Sequence, residues 1–263
     1  MSFSLKHTIK RWARVYMPPR WRHRLRIWHS LRLVRRFDPR RWPPAVIVGR
    51  LLRPGDLVVD AGANIGYVTS LFSQWVGSSG RVISLEPEPS TFDVLSRVAH
   101  ARRWSNVQLI NAAVSSREAE GVLVVPAYGD GGENLYEARL VAESDAAWTD
   151  RTVRVRTVTL DGLAGDGPAP VLIKLDVEGH EWAAVQGATR LLARARPAWL
   201  IEVGSDPWRA DTPAGQLFAR LLGAGYAVYR AMGERLVPVH PGESVDDVFF
   251  LAPDHGARLG RMA

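Results

Sequence analysis

The stretch VVDAGANIGYVTSLF, residues 58–72, constrains the fold more than any other part of the chain. Apolar residues lead into Asp60. A turn carrying Gly62, Asn64 and Gly66 follows, and a helical pattern begins at once. A strand that enters a helix through so short a glycine-rich turn reads as the opening of a βα unit. Glycine permits positive φ and close backbone approach, and asparagine tolerates that region better than most residues. In open α/β sheets such a turn lies at the carboxyl end of a strand, where ligands bind.

The same alternation continues along the chain. Apolar segments at 56–62, 81–87, 107–114, 170–177, 198–204, 226–230 and 247–253 read as seven strands. Helical stretches are expected at about 65–76, 89–101 and 213–224, with a further helix ending near Ala193–Pro197. Continuous rather than alternating apolar strands indicate a mostly parallel sheet covered on both faces. The expected fold is therefore α/β and doubly wound, with a Rossmann-like seven-stranded sheet. Residues 115–168 are less regular. They contain a glycine-rich loop at 128–134 and, in RTVRVRTVTL, the alternation of an antiparallel strand, and they are expected to supply a lid or an acceptor-recognition loop.

Two acids close successive strands. Asp60 stands at the mouth of the glycine turn, where a carboxylate would repel a diphosphate but suit the α-amino group of S-adenosylmethionine. Glu86 ends the second strand and is placed to accept hydrogen bonds from ribose hydroxyls. Asn111 and Ala112 after the third strand are placed beside an adenine ring. Ala61, Gly62, Asn64 and Gly66 complete the expected cofactor set. A nucleotide-binding oxidoreductase is the rival of another class, disfavoured by Asp60 and by the lack of a phosphate-cradling glycine pattern.

The most unusual segment is VLIKLDVEGHEW, residues 171–182, with Lys174, Asp176, Glu178, His180 and Glu181 crowded at the end of an apolar strand. An unpaired buried lysine is costly, so Lys174 is expected to pair with a carboxylate such as Asp176. With a period of two, Lys174 and Asp176 share a face, and Glu178 joins them if the chain stays extended.

In this order, LLRPGDLVVDAGANIGYVT, ISLEPEP, NAAVS, TVTLDGL and IKLDVEGHEWAAVQGA resemble the FkbM-type methyltransferases, a branch of the class I S-adenosylmethionine enzymes. The resemblance spans about residues 46–204. It implies O-methylation of a sugar or natural-product hydroxyl, with Asp60, Gly62, Asn64, Gly66 and Glu86 matching the cofactor motifs. An alcohol is scarcely ionised at neutral pH, so a base or a metal is expected beside it. Asp176 or His180 is the expected proton acceptor, Lys174 orients a carboxylate, and Glu178 completes the catalytic set. A divalent metal on Asp176, Glu178 and His180 is a second reading, not the favoured one. An N-methyltransferase for an amino or guanidino acceptor and a catalytically inactive scaffold are the further alternatives.

Charge divides the chain. Residues 1–53 carry 15 Lys/Arg against one acid, Asp38, so the net charge of +7 conceals an acidic body. Residues 1–44 read as a basic helical extension preceding a methyltransferase unit at 45–263. One stripe is Leu5, Ile9, Trp12, Tyr16; a second helix carries Trp21, Leu25, Trp28 and Ile27, Leu31, Val34. This arm could fold back on the body or on a second subunit of a homo-oligomer, or lie on an anionic membrane. Nucleic acid is disfavoured because the body is acidic. The absence of cysteine excludes disulfides and thiolate chemistry and suits a reducing compartment. No apolar run approaches the roughly 18 residues of a membrane span, and no secretory signal is evident, so a cytoplasmic location, with the inner membrane face as an extension of it, is expected.

Overall fold

The structure, a computed structural model, describes residues 18–127, 134–135, 138–141 and 151–260. The helix expected over Leu5–Tyr16 and nearly all of the 128–134 loop lie outside the described residues.

Strand β1 (Leu57–Ala61) pairs in parallel with β2 (Arg81–Leu85), which pairs with β3 (Val107–Ile110). On the other side β1 pairs with β8 (Leu172–Leu175), and β8 with β9 (Ala198–Glu202), again in parallel. Strand β12 (Asp247–Leu251) runs antiparallel to β9, followed by β10 (Ala227–Met232) and β11 (Arg235–Pro238), giving the order β11-β10-β12-β9-β8-β1-β2-β3.

The sheet thus has eight strands, not the seven expected. The additional β11 hairpins onto β10 through Gly233, whose φ of 61° supplies the tight reversal. Its short sequence RLVP carries too few apolar residues to stand out as a strand. Alternate residues along the central strands enter opposite cores. Val59, Ile83, Ile173 and Ile201 join one cluster, and Val58, Val82, Leu172 and Leu200 the other. Burial on both faces explains why these strands read as continuous apolar runs.

Helices cover both faces: α1 (Pro19–Arg35), α2 (Ala45–Leu51), α3 (Tyr67–Val76), α4 (Pro89–Arg102), α5 (Leu160–Ala164), α6 (Glu181–Gln186), α7 (Thr189–Arg194), α8 (Pro213–Gly223) and α9 (Gly256–Leu259). Helix α4 starts on a proline, and the buried Glu88 caps it by accepting a hydrogen bond from the Thr91 N–H at 2.7 Å.

The region 115–168 is more regular than its sequence suggests. The segment read as one strand over 107–114 divides at Asn111. Its end, β4 (Ala113–Val114), joins a second sheet with β7 (Arg151–Val158), β5 (Ala119–Val125) and β6 (Arg139–Val141), in the order β4-β7-β5-β6. Leu123, Val125 and Val155 form its small core, with Leu135 and Leu140 packed against it.

Helix α1 lies on α4 and the start of α3. Val34 is buried with Ile65, Val94 and Val98, and Ile27, Leu31 and Leu33 pack around them. Arg26 donates to the side chains of Ser90 (3.1 Å) and Thr91 (2.7 Å), and His23 meets Asp93. Phe37 stacks on Tyr67 with centroids 4.9 Å apart.

Candidate active site

The carboxyl ends of β1, β2 and β8 open into a cavity of about 260 Å³. Its floor is Ala61, Gly62 and Asn64 from the glycine turn, Leu85 to Pro87 after β2, and Ala112 to Val114 between the two sheets. Asp176, Val177, Glu178, His180 and Glu202 form the acidic rim, and Leu123, Leu135, Ala138 and Leu140 the apolar wall.

The turn is built for close approach. Gly62 (φ 80°) and Asn64 (φ 49°) are in the left-handed region. A Cβ on Gly62 would fall 1.7 Å from the Asp176 carbonyl oxygen, so only glycine lets the β1 turn and the acidic block pack together. Gly66 (φ 94°) serves packing. A Cβ there would meet Leu95 and Trp104 at 2.8 and 2.9 Å, and Gly66 does not line the cavity.

Glu86 is 7% exposed and faces the cavity. One carboxylate oxygen accepts from the Asn64 N–H and the other from the Glu88 N–H, each at 2.9 Å. Burial pushes its pKa up to about 7 against the pull of these two bonds. The pinned carboxylate keeps lone pairs towards the cavity and fits a vicinal diol. Asn111 does not line the cavity. Its side-chain amide donates to the Glu86 and Pro87 carbonyls, fixing the segment that carries Glu86.

Asp60 lies beneath the floor rather than in it. It is fully buried and accepts from the Thr69 hydroxyl at 2.6 Å, while its other oxygen has no hydrogen-bond partner. Burial raises its pKa, opposed by Lys174 and Thr69. The carboxylate expected to serve a cofactor amino group, directly or through water, is turned inward by the β1 pleat and does not line the cavity. Register places Asp60 beside Lys174, whose Nζ stands 3.8 Å from Asp60 and 2.9 Å from Asp176. Burial alone would depress the Lys174 ammonium, but Asp176 and Asp60 hold it above the usual lysine value. Lys174, also outside the lining, thus joins the floor to the rim.

Strand β8 ends before Asp176, so Glu178 does not continue an extended run. It adopts φ 53°, and Gly179 φ 92°, in a sharp turn. Glu181 stabilises that turn by accepting from the Val177 and Gly179 N–H groups at 3.2 and 3.1 Å. Burial opposes ionisation of Asp176, but Lys174 and a hydrogen bond from Glu202 hold its pKa below the usual value. Glu202 is the more basic partner of that pair, its pKa pushed up to about 8, first by the bond to Asp176 and then by burial. Asp247 stands opposite Glu202 in the β9–β12 ladder and adds to the acidity of the rim. Burial lowers the His180 pKa, so the imidazole is neutral at pH 7, and its Nε2 lies 3.0 Å from the Ser115 Oγ.

The carboxylates of Asp176, Glu178 and Glu202 lie within 4.8 Å of one another, a spacing that could hold a cation. His180, which the sequence reading placed among the metal ligands, is not in that group and is turned to Ser115 instead. Ser115 and the apolar wall were not anticipated from sequence. Their signals were the residue closing NAAVS and the apolar run Val122–Val125 of β5.

An α/β sheet with a buried, cavity-facing carboxylate after its second strand and an acidic block after β8, on the other side of β1, has the arrangement of a class I methyltransferase site. The family described as Methyltransferase FkbM domain matches residues 60–228, well over half of the chain, and the protein belongs to that family. The hexuronic acid methyltransferase AglP of Haloferax volcanii is 28% identical over 160 residues, which cover 58% of each protein. This chain therefore spans little more than half the length of that curated relative. Among solved structures, the methyltransferase FkbM from Methylobacillus flagellatus KT aligns with 80% of this chain and 50% of its own, at 16% identity and a TM-score of 0.49. A putative O-methyltransferase from Klebsiella pneumoniae aligns with 91% and 93%, at 13% identity and a TM-score of 0.46.

The residues fit S-adenosylmethionine, the cofactor of the class. Glu86 would hold the ribose, Leu85, Pro87, Ala112 and Ala113 offer apolar and backbone surface for the adenine, and the rim suits a cationic sulfonium and ammonium. When bound, the cofactor supplies an electrophilic methyl group.

Proposed function

We propose that the protein methylates a hydroxyl of a sugar or related metabolite, using S-adenosylmethionine. The observation that carries this reading is the rim, where His180, 3.0 Å from Ser115, and the neighbouring carboxylates of Asp176 and Glu202 stand beside the cavity that presents Glu86. The sugar substrate of the AglP relative supports the choice of acceptor class.

In this reading His180 accepts the hydroxyl proton. With its own proton on Nε2 and donated to Ser115, its Nδ1 is the basic atom. Asp176, kept ionised by Lys174, accepts the acceptor's hydrogen bond and fixes its approach. Residues 45–263 are the catalytic unit and residues 1–44 an extension of it, in the cytoplasm. His180→Gln and Asp176→Asn should each lower kcat by about 10²-fold or more while calorimetry shows cofactor affinity within a few-fold of wild type. Full turnover in both variants would overturn the assignment. A mass-spectrometric screen of glycans and metabolites for a cofactor-dependent gain of one methyl group identifies the acceptor.

A second reading rests on charge. No lysine or arginine of the described residues lines the cavity, whereas Glu86, Asp176, Glu178 and Glu202 do. That lining favours a neutral or amino-bearing acceptor over a uronate, and it leaves N-methylation of an amine as the alternative. Fragmentation that locates the new methyl on oxygen or on nitrogen decides between them.

A further inference from the structure

We infer that the outward face of α1 is a docking surface for an anionic lipid bilayer. The helix is apolar on two sides. One side, with Ile27, Leu31 and Val34, packs on α3 and α4. On the other, Trp21, Leu25 and Trp28 follow one another at helical spacing and are 53%, 49% and 57% exposed. These are three of the six large hydrophobic side chains exposed among the described residues; the others, Val46, Leu222 and Met232, lie on separate elements. The helix is already anchored by its inner side, and the outer stripe belongs to no apolar cluster among the described residues.

Charge identifies the occupant. No acid occurs between Pro18 and Phe37, and arginines interleave with the stripe. The Arg24 and Arg32 guanidiniums each lie 5.7 Å from the ring centroid of Trp21 or Trp28. Beside the stripe, Arg32, Arg35, Arg36 and Arg102 line a groove of about 710 Å³ between α1 and α4. None of the four has a carboxylate within 4.0 Å among the described residues. Tryptophan at the level of headgroups and arginine on phosphates is the composition of a helix lying in a bilayer interface. No described helix is long and apolar enough to cross a membrane, so α1 would lie in the surface rather than span it.

Two other occupants fit less well. A second copy packing stripe on stripe would bring the arginines of two α1 helices together, with no acid between Pro18 and Phe37 to offset them. Nucleic acid would meet an acidic body, since residues 54–263 carry an excess of acids over bases.

The test is flotation of the full-length protein with phosphatidylcholine–phosphatidylglycerol vesicles, against pure phosphatidylcholine, at low and physiological salt. The wild type should float with the anionic vesicles, more strongly at low salt. Trp21→Ser/Leu25→Ser/Trp28→Ser and Arg24→Gln/Arg32→Gln/Arg35→Gln should each weaken partitioning by at least about tenfold. Unchanged melting temperature and cofactor affinity establish that both variants are folded. Absence of flotation by the wild type overturns the inference, and so does undiminished flotation of the tryptophan variant. A dimer lost in that variant, or RNA retardation abolished by it, without vesicle binding would assign the face to a second copy or to nucleic acid.

Discussion

Two carboxylates of the site act through their surroundings rather than through their residue type. Glu86 has a pKa of about 7 in the free protein. Hydroxyl donors favour its charged form, so cofactor binding near and below pH 7 should release a proton, and affinity should rise as pH passes through 7. Calorimetry in buffers of different ionisation enthalpy measures this, and Glu86→Gln should abolish the release and weaken binding at least about tenfold. Glu202 behaves differently. Its pKa is raised from 4.5 to about 8, so between those values the folded state binds more protons than the unfolded one. Its contribution to stability therefore falls as pH rises from 4.5 to 8. Glu202→Gln should flatten that part of the melting-temperature profile, and an unchanged slope would show that the proton resides elsewhere. Gly62→Ala places a Cβ against the Asp176 carbonyl at positive φ. It should cost well over about 1 kcal/mol of stability and abolish cofactor binding, measured by urea denaturation and calorimetry.

At the scale of elements, the βα units that present these residues were legible because burial on both faces leaves a continuous apolar run. Helix α1 was legible as a helix, and packing on the body was one of the placements the sequence left open. The burial of Val34 with Ile65, Val94 and Val98 is what the tertiary structure adds. Arg26 ties the helix to Thr91, whose N–H donates to the Glu88 carboxylate, and the Glu88 N–H in turn donates to Glu86. Leu31→Ala with Val34→Ala should cost about 2–4 kcal/mol in urea denaturation, because Val34 is buried and Leu31 packs beside it. The second sheet was less legible. Its strands β4 and β6 have two and three residues, too short for any periodicity to register. Only β7, with arginines and threonines alternating with valines, announced itself, and the wall it supports was read as loop.

The whole molecule separates its charge: a basic arm, an acidic body, and a cavity whose described lining holds acids and no cation. That field should discriminate among acceptors. A carboxylate-bearing sugar should show a lower kcat/KM than its neutral counterpart, and added salt should narrow the gap by screening. Initial rates at two ionic strengths check it. What the sequence determined by itself was the strand-turn-helix frame, the family and the residue types at the strand ends, because these follow from local periodicity and from a turn that only glycine and asparagine adopt comfortably. The tertiary structure alone decided which of those residues line the cavity. It turned Asp60 inward, set Asn111 to hold the backbone at Glu86, chose Asp176 rather than an arginine as the neighbour of Glu202 at the end of the adjacent strand, and brought Ser115 to His180 across 65 residues of chain. Side-chain direction at a strand end and contacts between distant strands depend on register and pleat, and a linear pattern carries neither.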